Sequence, residues 1–254
     1  MSDVVSSQWL VLRSVRSTWW LLGALGLLLA GCWGAGTLMV SAWDEASPAD
    51  RALFESADMT VISGPLTQLV LGVLGVLAVT AEYRTGSITT TLTAVPNRLR
   101  LLGAKTLVVT GLASAAALVV VGMSVVLSLQ IAGDRPTPID PWTSAGDMVG
   151  TGAANVAVCL AAALTGVGLG AALRSSAGAV MAVAGLLFVA PVIAVYLPDP
   201  WDHRISSVLP SSLAAQLSGD DYYSLGVAGA VCALIAYPVV ALTAGGLTLL
   251  RRDA

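Results

Sequence analysis

The residues of this chain that could do chemistry are few, and most are crowded into one stretch. Glu82 is followed by Arg84, Arg98, Arg100 and Lys105, with little other charge nearby. A carboxylate at the end of an apolar helix meets the negative end of the helix dipole and needs a compensating cation. The basic residues downstream, or a partner's, are the natural candidates. Elsewhere the inventory is thin. The one histidine, His203, stands beside Asp202, a weak metal signal that reads better as a solvated loop histidine, so no metal site is expected. No His-Glu-x-x-His occurs. Gly103-Ala104-Lys105-Thr106 lacks the paired glycines of a phosphate-cradling loop. Cys32, Cys159 and Cys232 are far apart and read as packing residues. No catalytic cluster emerges, and an enzyme is not expected.

The elements that carry these residues follow from composition. Hydrophobic residues make up 56% of the chain and charged residues 11%, against about 25% charged in a soluble domain. Mean hydropathy is +0.85. A helix needs about 20 apolar residues to cross a bilayer. Six uncharged runs exceed that length: 17–43, 59–81, 106–133, 148–173, 175–198 and 222–250. By this criterion no span holds an Asp, Glu, Lys or Arg, and only neutral polar groups such as Gln68 and Asn155 lie inside. The fold class is therefore all-α integral membrane, with six transmembrane helices in a single membrane domain over 1–254.

Basic residues orient it. Arg13, Arg16, Arg84, Arg98, Arg100, Lys105, Arg174, Arg251 and Arg252 fall on one side, and Arg51, Arg135 and Arg204 on the other. All the acids except Asp3, Glu82 and Asp253 lie on that second side. Both termini are thus expected in the cytoplasm of a cell whose plasma membrane the chain crosses. The net charge of −3 hides a basic inner and an acidic outer face, and gives no reason to expect a nucleic-acid partner. The near-absence of lysine among the basic residues fits a GC-rich bacterial genome.

Three segments outside the spans carry pattern. Over 1–17, Val5, Trp9, Leu12 and Arg16 share a helical face, which predicts a helix lying in the interface. Over 82–105, Gly86 can end the second span in the left-handed conformation, Ser87 can cap a short helix with Ile88, Leu92 and Val95 on one face, Pro96 ends it, and Asn97 caps the next. Over 199–221, Ile205, Leu209, Leu213 and Leu217 recur every four residues around Pro210, predicting a non-spanning helix or helix pair on the outer side.

Two stretches resemble the actinobacterial branch of the ABC-2 type permeases, the membrane subunits of ABC exporters. One is Leu12-Arg13-Ser14-Val15-Arg16-Ser17-Thr18-Trp19-Trp20. The other is Glu82-Tyr83-Arg84-Thr85-Gly86-Ser87-Ile88, continuing through Thr91-Leu92, Pro96, Arg98 and Lys105. Leu209-Pro210-Ser211 is a third, shorter similarity. The family often has a Glu and a Lys flanking the tryptophan of the N-terminal helix. Gln8 and Val11 stand there in this chain, which weakens the case for an electrostatic role of that helix.

The resemblance implies a homodimer, or a pair with a related permease, served by two copies of a separate ATPase subunit that binds the ATP and magnesium. No cofactor is expected in this chain. Glu82, Arg84, Gly86, Ser87, Ile88, Leu92, Pro96, Arg98 and Lys105 would form the coupling segment, with Trp9, Arg13 and Arg16 of the N-terminal helix as further ATPase contacts. Trp33, Gln68 and Phe188 would line the path of a hydrophobic or amphipathic small molecule, peptide or lipid. Gly166 and Gly170, on one face with Ala162, would allow close helix packing. A secondary transporter and an intramembrane enzyme, each without a separate ATPase, remain the alternatives.

Overall fold

The computed structural model describes residues 2–86, 97–220 and 222–251. Among them there is no strand, and six helices are long and apolar enough to cross a membrane. The helices are α1 (Ser2–Ser14), α2 (Arg16–Glu45), α3 (Pro48–Arg51), α4 (Met59–Thr85), α5 (Arg98–Ala132), α6 (Ala145–Leu173), α7 (Ser176–Val195), α8 (Trp201–Val208), α9 (Pro210–Leu217) and α10 (Gly226–Arg251). The six long ones are α2, α4, α5, α6, α7 and α10. This is a multi-pass membrane protein.

Local signals set the boundaries. Asp58, Asn97, Ser144 and Ser175 each sit at an N-cap and accept a backbone N–H of the first turn. Gly86 ends α4 at φ 70°, a left-handed conformation that costs glycine nothing. The cap at Asn97 starts α5 well before the uncharged run at Thr106. Lys105 therefore lies about two turns inside the helix, as the cap at Asn97 predicts, and next to the uncharged run. The sixth long helix begins at Gly226, after a turn over 222–225 that the sequence assigned to the span. In α7 the helix widens to a π turn over Gly185–Val189. Pro191 follows and has no N–H for the carbonyl four residues back, which accounts for the break in register.

The fourth long helix, α6, is the centre of the bundle, packing on α4, α5, α7, α9 and α10. Small residues make this possible. A Cβ on Gly166 would overlap the Gly72 carbonyl of α4, and one on Gly168 would overlap the Ala241 backbone of α10. Gly170 likewise faces Val76 of α4. The small-residue face around Gly166 and Gly170 is thus consumed inside the subunit, not at a seam between copies. Leu71, Leu74, Val109, Ala113, Cys159 and Val167 fill the core between these helices. Cys159 and Cys232 part company here: the first is buried, the second exposed on α10.

The bundle has two chemically distinct ends. At the basic end, Arg98 donates to the Leu249 carbonyl at 2.8 Å and Arg174 to the Thr248 carbonyl at 3.1 Å. Two guanidiniums thus satisfy the last turn of α10, where the dipole is negative. At the acidic end, Arg135 pairs with both oxygens of Asp44, at 2.9 and 2.7 Å. Arg51 binds the Trp43 and Asp44 carbonyls and lies over the Trp43 ring. The expected non-spanning pair is present at this end as α8 and α9. Pro210 occupies the first position of α9, where it lacks no needed hydrogen bond. Leu209 and Leu213 are buried, but Ile205 is exposed.

Candidate functional site

The chemistry-bearing residues converge at the basic end, on Lys105. It projects from α5 and is 4% exposed. Its ammonium donates to Glu82 Oε1 at 2.6 Å, Gln8 Oε1 at 2.9 Å and the Ala78 carbonyl at 3.0 Å. An ammonium has three donors, and all three are used. Glu82 and Ala78 belong to α4 and Gln8 to α1, so one side chain ties three helices together. Glu82 and Gln8 are themselves buried. Burying a carboxylate and an ammonium together costs several kcal/mol per ion in desolvation, so such a pair is weak evidence for stability and better evidence for a fixed geometry. That geometry is set one turn before α4 ends at Gly86.

The N-terminal helix supplies the third member through a face the sequence reading did not select. Gln8 and Leu12 are buried, with Val5 and Val15 partly so, while Trp9, Arg13 and Arg16 are exposed. Trp9 was expected on the same face as Leu12. It points outward because the stripe Val5, Gln8, Leu12, Val15 is the one that meets α5 and α2. The charge lost by having Gln8 in place of an acid does not remove the helix from the electrostatic cluster, because a carboxamide oxygen accepts from an ammonium too. The join to α2 is fixed by Thr18 Oγ1 donating to the Leu12 carbonyl at 2.8 Å and Trp19 Nε1 donating to the Arg13 carbonyl at 3.0 Å.

The other expected coupling residues are placed unevenly. Arg84 is exposed beside the buried Glu82. Arg98 is engaged with α10 as above. Ser87, Ile88, Leu92 and Pro96 lie outside the described residues, and with them the short helix expected there. Tyr83, next to Glu82, lies 5.5 Å beneath the Arg174 guanidinium.

The three expected path residues do not come together. Trp33 is 56% exposed on α2, and Phe188 is 37% exposed in the π turn of α7. Gln68 is buried, and it lines a cavity of about 520 Å³ near the acidic end, between α4, α6 and α9. Thr60 and Asn155 also line this cavity and are buried; Asp58, Ser218 and Asp220 lie toward its mouth. Asn155 Nδ2 donates to the Thr151 carbonyl at 3.0 Å and makes a long contact of 3.5 Å to Thr60 Oγ1. Gln68 Oε1 has no hydrogen-bond partner among the described residues. A buried polar group left so costs about 1–3 kcal/mol. Pro65 lies in the same wall and has no N–H to offer the Val61 carbonyl. Gln68 and Asn155 were visible in the sequence as the polar groups of two long helices. Nothing local in the sequence pointed to Thr60 or Asp220 as their neighbours.

Among the described residues, Asp199, Asp202 and His203 offer ligand atoms within 4.8 Å of one another. Asp199 and His203 are exposed and Asp202 partly so, and Asp202 and His203 lie in the first turn of α8, not in a loop. No family model matches the chain, and no curated protein matches it.

Proposed function

We propose that this chain is the membrane subunit of an ATP-driven exporter, with both termini in the cytoplasm and ATP hydrolysed by a separate subunit docked beneath the basic end. The observation that carries the reading is the Lys105 knot. A transmitter needs a rigid joint between the segment a partner pushes and the helices that must move. The buried Glu82–Lys105–Gln8 cluster is such a joint, located where α4 and α5 flank the segment 87–96. Trp9 and Arg13 on the exposed side of α1, Arg16 at the start of α2 and Arg84 at the end of α4 offer a basic and aromatic surface beside it. The resemblance of the 82–105 stretch to ABC-2 permeases supports the same assignment. On this reading two copies of the chain pair within the plasma membrane and enclose the path of a hydrophobic or amphipathic cargo.

A specific observation favours a second reading. Lys105 and Glu82 form a buried titratable pair, the kind of group an ion-coupled transporter uses. One experiment separates the two. The chain is reconstituted in vesicles with and without a candidate ATPase subunit from its source organism, and uptake into inverted vesicles is followed with ATP or with an imposed proton gradient. ATP-dependent accumulation that requires the ATPase supports the exporter. Accumulation driven by the gradient alone supports the secondary transporter and removes the exporter reading.

A further inference from the structure

We propose that the cavity lined by Gln68 is a binding site for an organic ammonium group, carried on a small amphipathic amine. The cavity is a site for such a molecule whatever drives transport; that the amine is the cargo rests on the exporter reading above.

The lining argues for the charge. Asp58 and Asp220 both contribute to it, and no Lys, Arg or His does. Each aspartate spends Oδ1 on a backbone N–H, Asp58 on Thr60 at 2.8 Å and Asp220 on Tyr222 at 2.9 Å. Among the described residues no hydrogen bond occupies either Oδ2. Two carboxylates at the mouth of a concave, low-dielectric surface concentrate cations and repel anions. Of the basic side chains at this end, Arg51 and Arg135 are committed to the Trp43 and Asp44 region on other loops, and Arg204, on the neighbouring α8, lies over the Trp201 ring and does not line the cavity.

The floor argues for N–H donors on the ligand. Gln68 presents a carboxamide that is 3% exposed, with an oxygen that accepts from no described residue. The Val61 carbonyl in the same wall lacks its helical donor because of Pro65. An ammonium with N–H bonds can satisfy such acceptors, and a quaternary nitrogen cannot. Val61, Pro65, Ala214 and Ala215 supply an apolar stretch among polar neighbours such as Thr151 and Ser211, against which the hydrocarbon part of an amphipathic amine can lie.

Dansylcadaverine, a fluorescent primary amine, is a suitable probe, with its N-acetylated form as the neutral control of nearly equal size. Both are titrated against the purified full chain in lipid nanodiscs without any ATPase, with protein-free nanodiscs subtracted. The proposal expects saturable binding of the amine and binding about tenfold weaker or more for the acetylated form. Gln68→Leu should weaken amine binding to a similar degree. Asp220→Asn, an exposed change that does not touch the core, should weaken it severalfold and keeps the test open if Gln68→Leu does not fold. No saturable binding, equal affinity for the two probes, or wild-type affinity in both variants overturns the site. Because the assay contains no ATPase, its failure leaves the exporter reading standing, and failure of export leaves a measured amine site standing.

Discussion

Lys105 and Glu82 meet at 2.6 Å, both nearly shut off from solvent, on helices joined by the segment that follows Gly86. The pair fixes the angle between the end of α4 and the start of α5. Gln8 adds α1 to the same joint at 2.9 Å.

Removing the Lys105 ammonium alone should be far worse than neutralising both groups. Lys105→Met leaves the Glu82 carboxylate buried without the ammonium that meets it, which should destabilise by about 3–5 kcal/mol. The double change of Glu82→Gln with Lys105→Met should recover most of that. Thermal unfolding of the purified variants in one detergent checks this. Lys105→Met as stable as wild type would remove the pair from the structure's energetics.

Gln8→Ala should act on α1 alone. It removes a hydrogen bond to a charged group, worth about 1.5–3 kcal/mol, and leaves the ion pair in place. Backbone hydrogen exchange over 2–14 should quicken at least tenfold, with α4 and α5 unchanged. Exchange that stays at the wild-type rate would mean that Leu12 and the Thr18 bond hold α1 unaided.

The small-residue packing gives a contrast between glycines of the same composition. Gly166→Leu should prevent folding, because even a Cβ at that position overlaps the α4 backbone. Gly23→Ala on α2 meets nothing within 4 Å and should change the yield of folded protein little, with a small gain from helix propensity, about 1 kcal/mol at most. Size-exclusion profiles of the two variants decide it.

The topology proposal has its own test. A cysteine at position 87 should resist a membrane-impermeant reagent added outside intact cells, and one at position 47 should react. The reverse pattern would invert the orientation and remove the coupling argument.

Much of this architecture is legible in the sequence because a bilayer imposes a strong, local signal. Six long runs without charge define six helices, and caps such as Asn97 and Gly86 mark their ends. What the sequence hid is where contact is long-range. Asn97 marks the start of the helix that carries Lys105, but its distance from the cap does not say which side chains Lys105 meets. Gln8 was passed over because its partner is 97 residues away and because Trp9 dominated the apparent apolar face. The cation that Glu82 needs was narrowed to four candidates by position, and only packing selects Lys105 among them. The cavity around Gln68 brings α4, α6 and α9 together, and no periodicity in any one of them announces it.

The central claim is that this joint carries motion from an ATPase to the long helices, and Glu82→Gln tests it most directly. Glutamine keeps the shape and one acceptor for Lys105 but removes the charge that fixes the angle. Vesicles holding the variant and its ATPase, assayed beside wild type, should show normal complex assembly and ATP hydrolysis within about twofold, with export reduced at least tenfold, a loss of about 1.4 kcal/mol or more of coupling free energy. Export at the wild-type rate per ATP hydrolysed would contradict the claim and leave the Glu82–Lys105 pair a structural brace alone.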